Sequence, residues 1–232
     1  MVVRIEAYQL AYVPLPKAAC SSVKKALALL DPVVSLPPRE TRDVHTWHRL
    51  YPTRRFRARQ MARLEGYFRF CVVRDPLARL LSVWTNRVQE FGDLRNAWSL
   101  QSGRVALPME PDPDFFFSHL TAYAQAVSGI KHHVLPAPVF LGPDLGAYSR
   151  VYRTEEMAIL GEDLSQRCNQ AVSLPRANSS GTRLRAEDLK PATLDALRVR
   201  LDAEYGFLSS YYDNPFDVRS HGACVTPSAR LS

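Results

Sequence analysis

Apolar and polar positions along the chain fall into two similar units. From Tyr8 to Pro14 the chain is mostly apolar, which predicts a short strand. The segment PLPKAACSS follows. Val23, Ala26, Leu27 and Leu30 then recur at i, i+3, i+4 and i+7, one face of a helix. Ser21 and Ser22 stand where a helix cap belongs. The first unit is therefore strand, loop, helix, with the loop at Pro14 to Ser22. The second unit begins with the β-rich run Tyr67 to Val73, a buried strand. Asp75 suits an N-cap and Pro76 a first helical position. Leu77, Leu81, Trp84 and Val88 then line one helix face.

The remaining pattern is weaker. Residues 31–66 hold Pro37, Pro38 and Pro52, and a basic stretch runs from Arg49 to Arg69. Residues 92–112 read as a loop and 113–128 as a helix. Strands are expected near 138–141 and 149–153, and short helices near 154–160 and 162–172. LPRANSSGTR is rich in turn residues. A last helix over 191–205 carries Leu194, Leu197, Leu201 and Tyr205, and the chain from about residue 213 onward reads as a loosely ordered tail. Strands alternating with helices predict an α/β fold with a parallel sheet covered on both faces. Such sheets bind ligands at the carboxyl ends of their strands, where both strand-to-helix loops would open.

Composition narrows this picture. The length, 232 residues, suits one α/β domain over 1–232, and 46% hydrophobic residues supply a core. No apolar run approaches the roughly 20 residues of a membrane helix, and the first residues do not read as a signal peptide. A cytoplasmic location is expected, unless an anchor has been removed. The four cysteines, at 20, 71, 168 and 224, form no CxxC pair, so neither a zinc site nor a disulfide framework is expected. Cys71 reads as a buried free thiol. A net charge of +7 points to an anionic ligand without separating nucleotide, nucleic acid, acidic sugar or membrane.

The two loops carry the candidate chemistry. A loop that enters a helix offers unpaired backbone N–H groups and the positive helix end, which together attract an anion. The first loop adds Lys17 and the hydroxyls of Ser21 and Ser22. It lacks the glycines of GxxxxGK[ST], so an ordinary ATP or GTP loop is disfavoured. In the second, Arg74 can grip a phosphate with two N–H groups, and Ser82, eight residues on, lies two helical turns in. Taken singly, each has a bland reading: a surface lysine before a helix, or a capped turn whose arginine pairs with an acid. Taken together, they suggest one ligand with two separate phosphate groups.

These residues resemble a known family. PLPKAACSSVKKAL is similar to the 5′-phosphosulfate loop of sulfotransferases, and FCVVRDPLARLLSVW to their 3′-phosphate motif. The variant is nearest to the carbohydrate sulfotransferases of the chondroitin 4-O and HNK-1 type and their bacterial relatives (sulfotransferase family 2). KHHVLPAPVFLG, VYRTEEM and LPRANSS resemble later segments of the family. The resemblance implies a three-layer α/β sandwich with a central, mainly parallel sheet and a P-loop-like phosphate-binding loop. It implies the donor PAPS (3′-phosphoadenosine 5′-phosphosulfate), with PAP released and no metal. Lys17, Ala18, Ala19, Cys20, Ser21, Ser22 and Val23 would hold its 5′ side, and Arg74 and Ser82 its 3′-phosphate. Arg176, Asn178 and Ser180 would close over the nucleotide. Ala19 and Ser21 depart from the glycine or threonine of many relatives, and both replacements are small.

The implied reaction is in-line transfer of a sulfuryl group to a hydroxyl of a carbohydrate-type acceptor. Lys17 would stabilise the leaving phosphate and a histidine would take the acceptor proton. Of six histidines, His45 ranks first and His48 second, because they lie between the two motifs. His132 and His133 follow, and Glu155 and Glu156 read as helix-start charges. The basic stretch is either a solvated face or a groove for an anionic acceptor. Three other readings stay open. One is a kinase with a divergent phosphate loop. Another is a nucleic-acid binder, which no RNP-like signature supports. The third is a nucleotide-binding protein without catalysis.

Overall fold

A computed structural model describes residues 2–174 and 183–217. Its strands are β1 (Val3–Ile5), β2 (Leu10–Val13), β3 (Phe68–Val73) and β4 (Arg150–Arg153). The helices are α1 (Cys20–Leu30), α2 (Val44–Leu50), α3 (Ala58–Ala62), α4 (Pro76–Val83), α5 (Trp98–Gln101), α6 (Pro113–Ser118), α7 (Leu120–Ala126), α8 (Ser128–Val134), α9 (Pro138–Leu141), α10 (Met157–Cys168) and α11 (Pro191–Phe207). A π-helical segment, Trp84–Glu90, continues α4.

The sheet order is β1-β2-β3-β4. β2, β3 and β4 run parallel, each pair joined through a helical crossover. β1 is antiparallel to β2. Only the turn Glu6–Tyr8 and Gln9, in the left-handed region at φ 50°, separate β1 from β2, far too few residues for a parallel crossover. That turn is why the second strand starts at Leu10 and not at Tyr8.

Alternation along the strands builds two cores. Leu10, Tyr12, Phe70, Val72 and Tyr152 face Val23 and Leu27 of α1, Trp47 of α2, and Leu160 and Leu164 of α10. Ala11, Val13, Cys71 and Val73 face Met61 of α3 and Phe140 and Leu141 of α9. The sheet is thus covered on both faces. Cys71 is a buried free thiol whose pKa burial pushes upward. Beside the sheet, α4, α6, α7, α8 and α11 pack around Leu80, Phe116, Tyr123, Ile130 and Leu201.

Several elements differ from the sequence expectation. Residues 138–141 form α9 and not a strand: a short apolar run carries no decisive period, and Pro138 starts a helix well. The helix expected over 113–128 breaks at His119 and again at Val127, which is extended (φ −129°, ψ 109°). The loop expected over 92–112 contains α5. A turn, Thr154–Glu156, and the single helix α10 replace the two short helices expected after β4, and Asn169 ends α10 in the left-handed region. The tract 31–66 holds α2 and α3. α2 starts with a capping box in which the N3 residue is Thr46, not the usual Glu or Gln. Among the described residues no helix is long and apolar enough to cross a membrane.

Candidate active site

Val13 pairs with Cys71 in the parallel register, so β2 and β3 release their chains on the same side. The first loop bends there through Lys17 (φ 66°) and Ala19 (φ 54°). Left-handed backbone at non-glycine residues costs about 1–3 kcal/mol each and clusters at functional sites. Between them the Ala18 N–H donates back to Leu15 O at 3.2 Å, which closes the loop into a tight turn ahead of α1. The start of α1 has no side-chain cap. Its first N–H groups have no intrahelical acceptor, and Val23 N–H is the one that reaches Ala19 O, at 3.2 Å. The Ser22 hydroxyl is buried without a partner among the described residues.

Arg74 ties the second loop to the first: its Nη1 donates to Lys17 O at 3.2 Å. Burial lowers the Arg74 pKa, with the charge of Arg183 adding to this and Glu155 and Asp75 opposing it. Asp75 caps α4 by accepting from Ala78 N–H (2.7 Å) and is itself held by the Tyr205 hydroxyl (2.9 Å). Ser82, on α4, donates back to Arg79 O at 2.7 Å. The widened turn of the π segment brings Asn86 across the site, where its Oδ1 accepts from Lys17 Nζ at 2.7 Å. Asn86 Nδ2 donates to Glu90 at 2.7 Å. Burial lowers the Lys17 pKa to about 8; Cys20 and Glu90 raise it, and Arg74 and Arg87 lower it further.

α2 supplies a histidine in contact with the first loop's serine. His48 Nε2 lies 2.8 Å from Ser21 Oγ, and its Nδ1 lies 3.1 Å from Lys24 Nζ. Lys24 is fully buried and also donates to Thr53 Oγ1 at 2.6 Å. Burial first, then the charges of Lys24, His45, Arg87 and His132, push His48 down to about 4. His45 is exposed on the same helix, with its ring edge-on to Phe91 at 5.8 Å. His132, half-buried, packs edge-on against Phe140 at 5.3 Å. His133 Nδ1 bonds Gly129 O at 2.7 Å, and burial pushes its pKa to about 3. His119 stacks on Phe115 at 4.1 Å, in the helical part beside the sheet.

Lys17, Ser21, Arg74 and His48 therefore converge on one end of the sheet. Arg176, Asn178, Ser180 and His221 lie outside the described residues. Lys24 and Asn86 escaped the sequence reading. Lys24 sits three residues after Ser21, a helical spacing that puts both on the His48 side of α1. Asn86 faces Lys17 only through the π turn, which no 3.6-residue period predicts.

Fold and site together define an α/β protein whose parallel strands present two joined, basic, anion-seeking loops at their carboxyl ends. The model of the sulfotransferase family matches residues 2–158, more than half of the chain, and the chain belongs to that family. Mouse carbohydrate sulfotransferase 14 is 33% identical over 88 residues, which cover 38% of this chain and 23% of that protein. The match thus spans about a quarter of the relative's length. No solved structure matches.

Proposed function

We propose that this protein transfers the sulfuryl group of PAPS to a hydroxyl of a carbohydrate acceptor, within a P-loop-like sulfotransferase fold. The observation that carries this reading is the Arg74–Lys17 contact, which makes two phosphate-seeking loops into one site. The residues suit the donor. Left-handed Lys17 and Ala19, the uncapped start of α1 and the orphaned Ser22 hydroxyl suit its 5′-phosphosulfate, with Ala18, Cys20, Ser21 and Val23 completing the cradle. Arg74 and Ser82 suit its 3′-phosphate, Ser82 after turning its hydroxyl away from Arg79 O.

As the acceptor oxygen bonds to sulfur, the bond from sulfur to the bridging phosphate oxygen breaks. Lys17 leaves Asn86 for that oxygen and meets its growing charge. The acceptor proton goes to a histidine. We place this role at His48 Nε2, which already faces the loop at Ser21, ahead of exposed His45. Exposed Arg54, Arg55, Arg57, Arg59 and Arg63 pair with no acid among the described residues, and Arg55 lies close enough to lower the His132 pKa. They favour an anionic acceptor over a neutral one.

The test is transfer of radiolabelled sulfuryl from PAPS to neutral and acidic saccharides. Label is expected on acidic acceptors, with Arg55→Glu reducing it there and sparing neutral ones. Equal losses on both would remove the anionic groove. Transfer of phosphate from ATP, with none of sulfuryl from PAPS, would overturn the whole reading.

A further inference from the structure

The Lys24–His48 pair is the second buried basic feature of the site. The proposed nucleotide contacts do not use Lys24, which reaches from α1 to His48 of α2 and to Thr53. A fully buried amine needs partners, and this one has two, Thr53 Oγ1 at 2.6 Å and His48 Nδ1 at 3.1 Å. An ammonium has three donors and no acceptor, whereas an amine keeps one lone pair. A neutral imidazole has one N–H and one lone pair, and the partner of one nitrogen decides where the proton sits.

We infer that Lys24 is a positioning residue that sets the tautomer of His48. When Lys24 is an ammonium it donates to Nδ1. The ring then carries its proton on Nε2 and donates it to Ser21 Oγ. In that form Nε2 has no lone pair for an acceptor hydroxyl. When Lys24 is an amine, it accepts from Nδ1–H while donating to Thr53, and Nε2 becomes free to take a proton. The base is therefore switched on by loss of a proton from the Lys24 ammonium in contact with its other nitrogen. This rests on the reading of His48 as the base, but the tautomer coupling itself does not.

The surroundings make the switch reachable. Burial lowers the Lys24 pKa from its ordinary value, with the Cys20 thiol opposing. Around His48, besides Lys24, stand His45 of the same helix, Arg87 of the π segment and His132 of α8. All three disfavour an imidazolium, so the ring stays neutral and the choice is between its two nitrogens. Transfer should then rise with pH, about tenfold per unit below the Lys24 titration, for as long as Lys17 keeps its charge.

The test is ¹⁵N NMR of the imidazole nitrogens in the whole protein, from about pH 6 to about 10.4, the ordinary lysine value. His48→Gln identifies the His48 signals. We expect wild-type His48 to pass from Nε2–H to Nδ1–H within that range. Lys24→Arg, a fixed cation, should keep Nε2–H throughout, and Lys24→Met should show no switch. The wild-type titration needs no variant to fold. One tautomer throughout in wild type, or the same switch in Lys24→Met, would overturn the inference. If the switch is seen but His48→Gln transfers sulfuryl at full rate, the coupling stands and the assignment of the base fails.

Discussion

Lys17 carries the largest share of the proposed chemistry, and its surroundings give it a usable pH range. Replacing it with Ala should lower kcat by at least about 10²–10³-fold, the scale for losing one donor to a developing anion. Retained turnover would exclude that role. Arg74→Ala should mainly raise the KM for PAPS, because the proposal gives Arg74 the 3′-phosphate and not the leaving oxygen. Steady-state kinetics on both variants separate the two effects. In the free protein, burial lowers Lys17 to about 8, so it loses its charge as pH rises through that value. Affinity for PAP should therefore fall above about pH 8. Stability moves the other way: the unfolded chain keeps this proton up to the ordinary lysine value of about 10.4, so between the two pKa values unfolding binds a proton and this group favours folding as pH rises. Calorimetric titration of PAP at several pH values checks the first statement. At this scale much of the candidate site could be read in the sequence, because Lys17, Ser21 and Arg74, which the fold brings together, sit at spacings fixed by loops and helix starts. Lys24 and Asn86 could not, since their roles depend on partners 24 and 69 residues away in the chain.

The elements hold these residues through one buried tie. Arg79 of α4 and Glu204 of α11 are 1% and 4% exposed and bond at 2.8 Å. Glu204 also accepts from Ala137 N–H at 3.0 Å, and Arg79 donates to Leu135 O at 3.1 Å. Removing one partner of a buried pair leaves an uncompensated charge and costs about 3–5 kcal/mol. Glu204→Ala should lose that much in chemical denaturation; under about 1 kcal/mol would mean that water or a neighbour replaces the carboxylate. Tyr205, next in sequence, holds Asp75 at the start of α4, so the same loss should also weaken nucleotide binding. β3 and α4 were legible because a buried strand, Asp-Pro and a 3.6-residue apolar period agree. α9 was not, because PVFL is too short to show a period. The break of 113–128 at His119 was hidden because its apolar face continues through the bend.

For the whole molecule, a parallel sheet covered on both faces followed from the alternation of strands and helices. The antiparallel edge β1 did not, since three residues carry little pattern. The net charge of +7 fits an anionic ligand but selects none, and if the exposed arginines of residues 54–63 bind the proposed anionic acceptor, its KM should rise with salt. The central claim is that two joined loops read two phosphate groups on one nucleotide. Thermal unfolding with PAP, ADP and ATP tests it most directly, because a ligand that binds only the folded state stabilises it by about 2.7 kcal/mol at 100 times its Kd. PAP at that level should raise Tm by roughly 5–10 °C, with ADP and ATP far behind and Arg74→Ala erasing the difference. Equal shifts with PAP and ADP, or a larger one with ATP, would contradict the account.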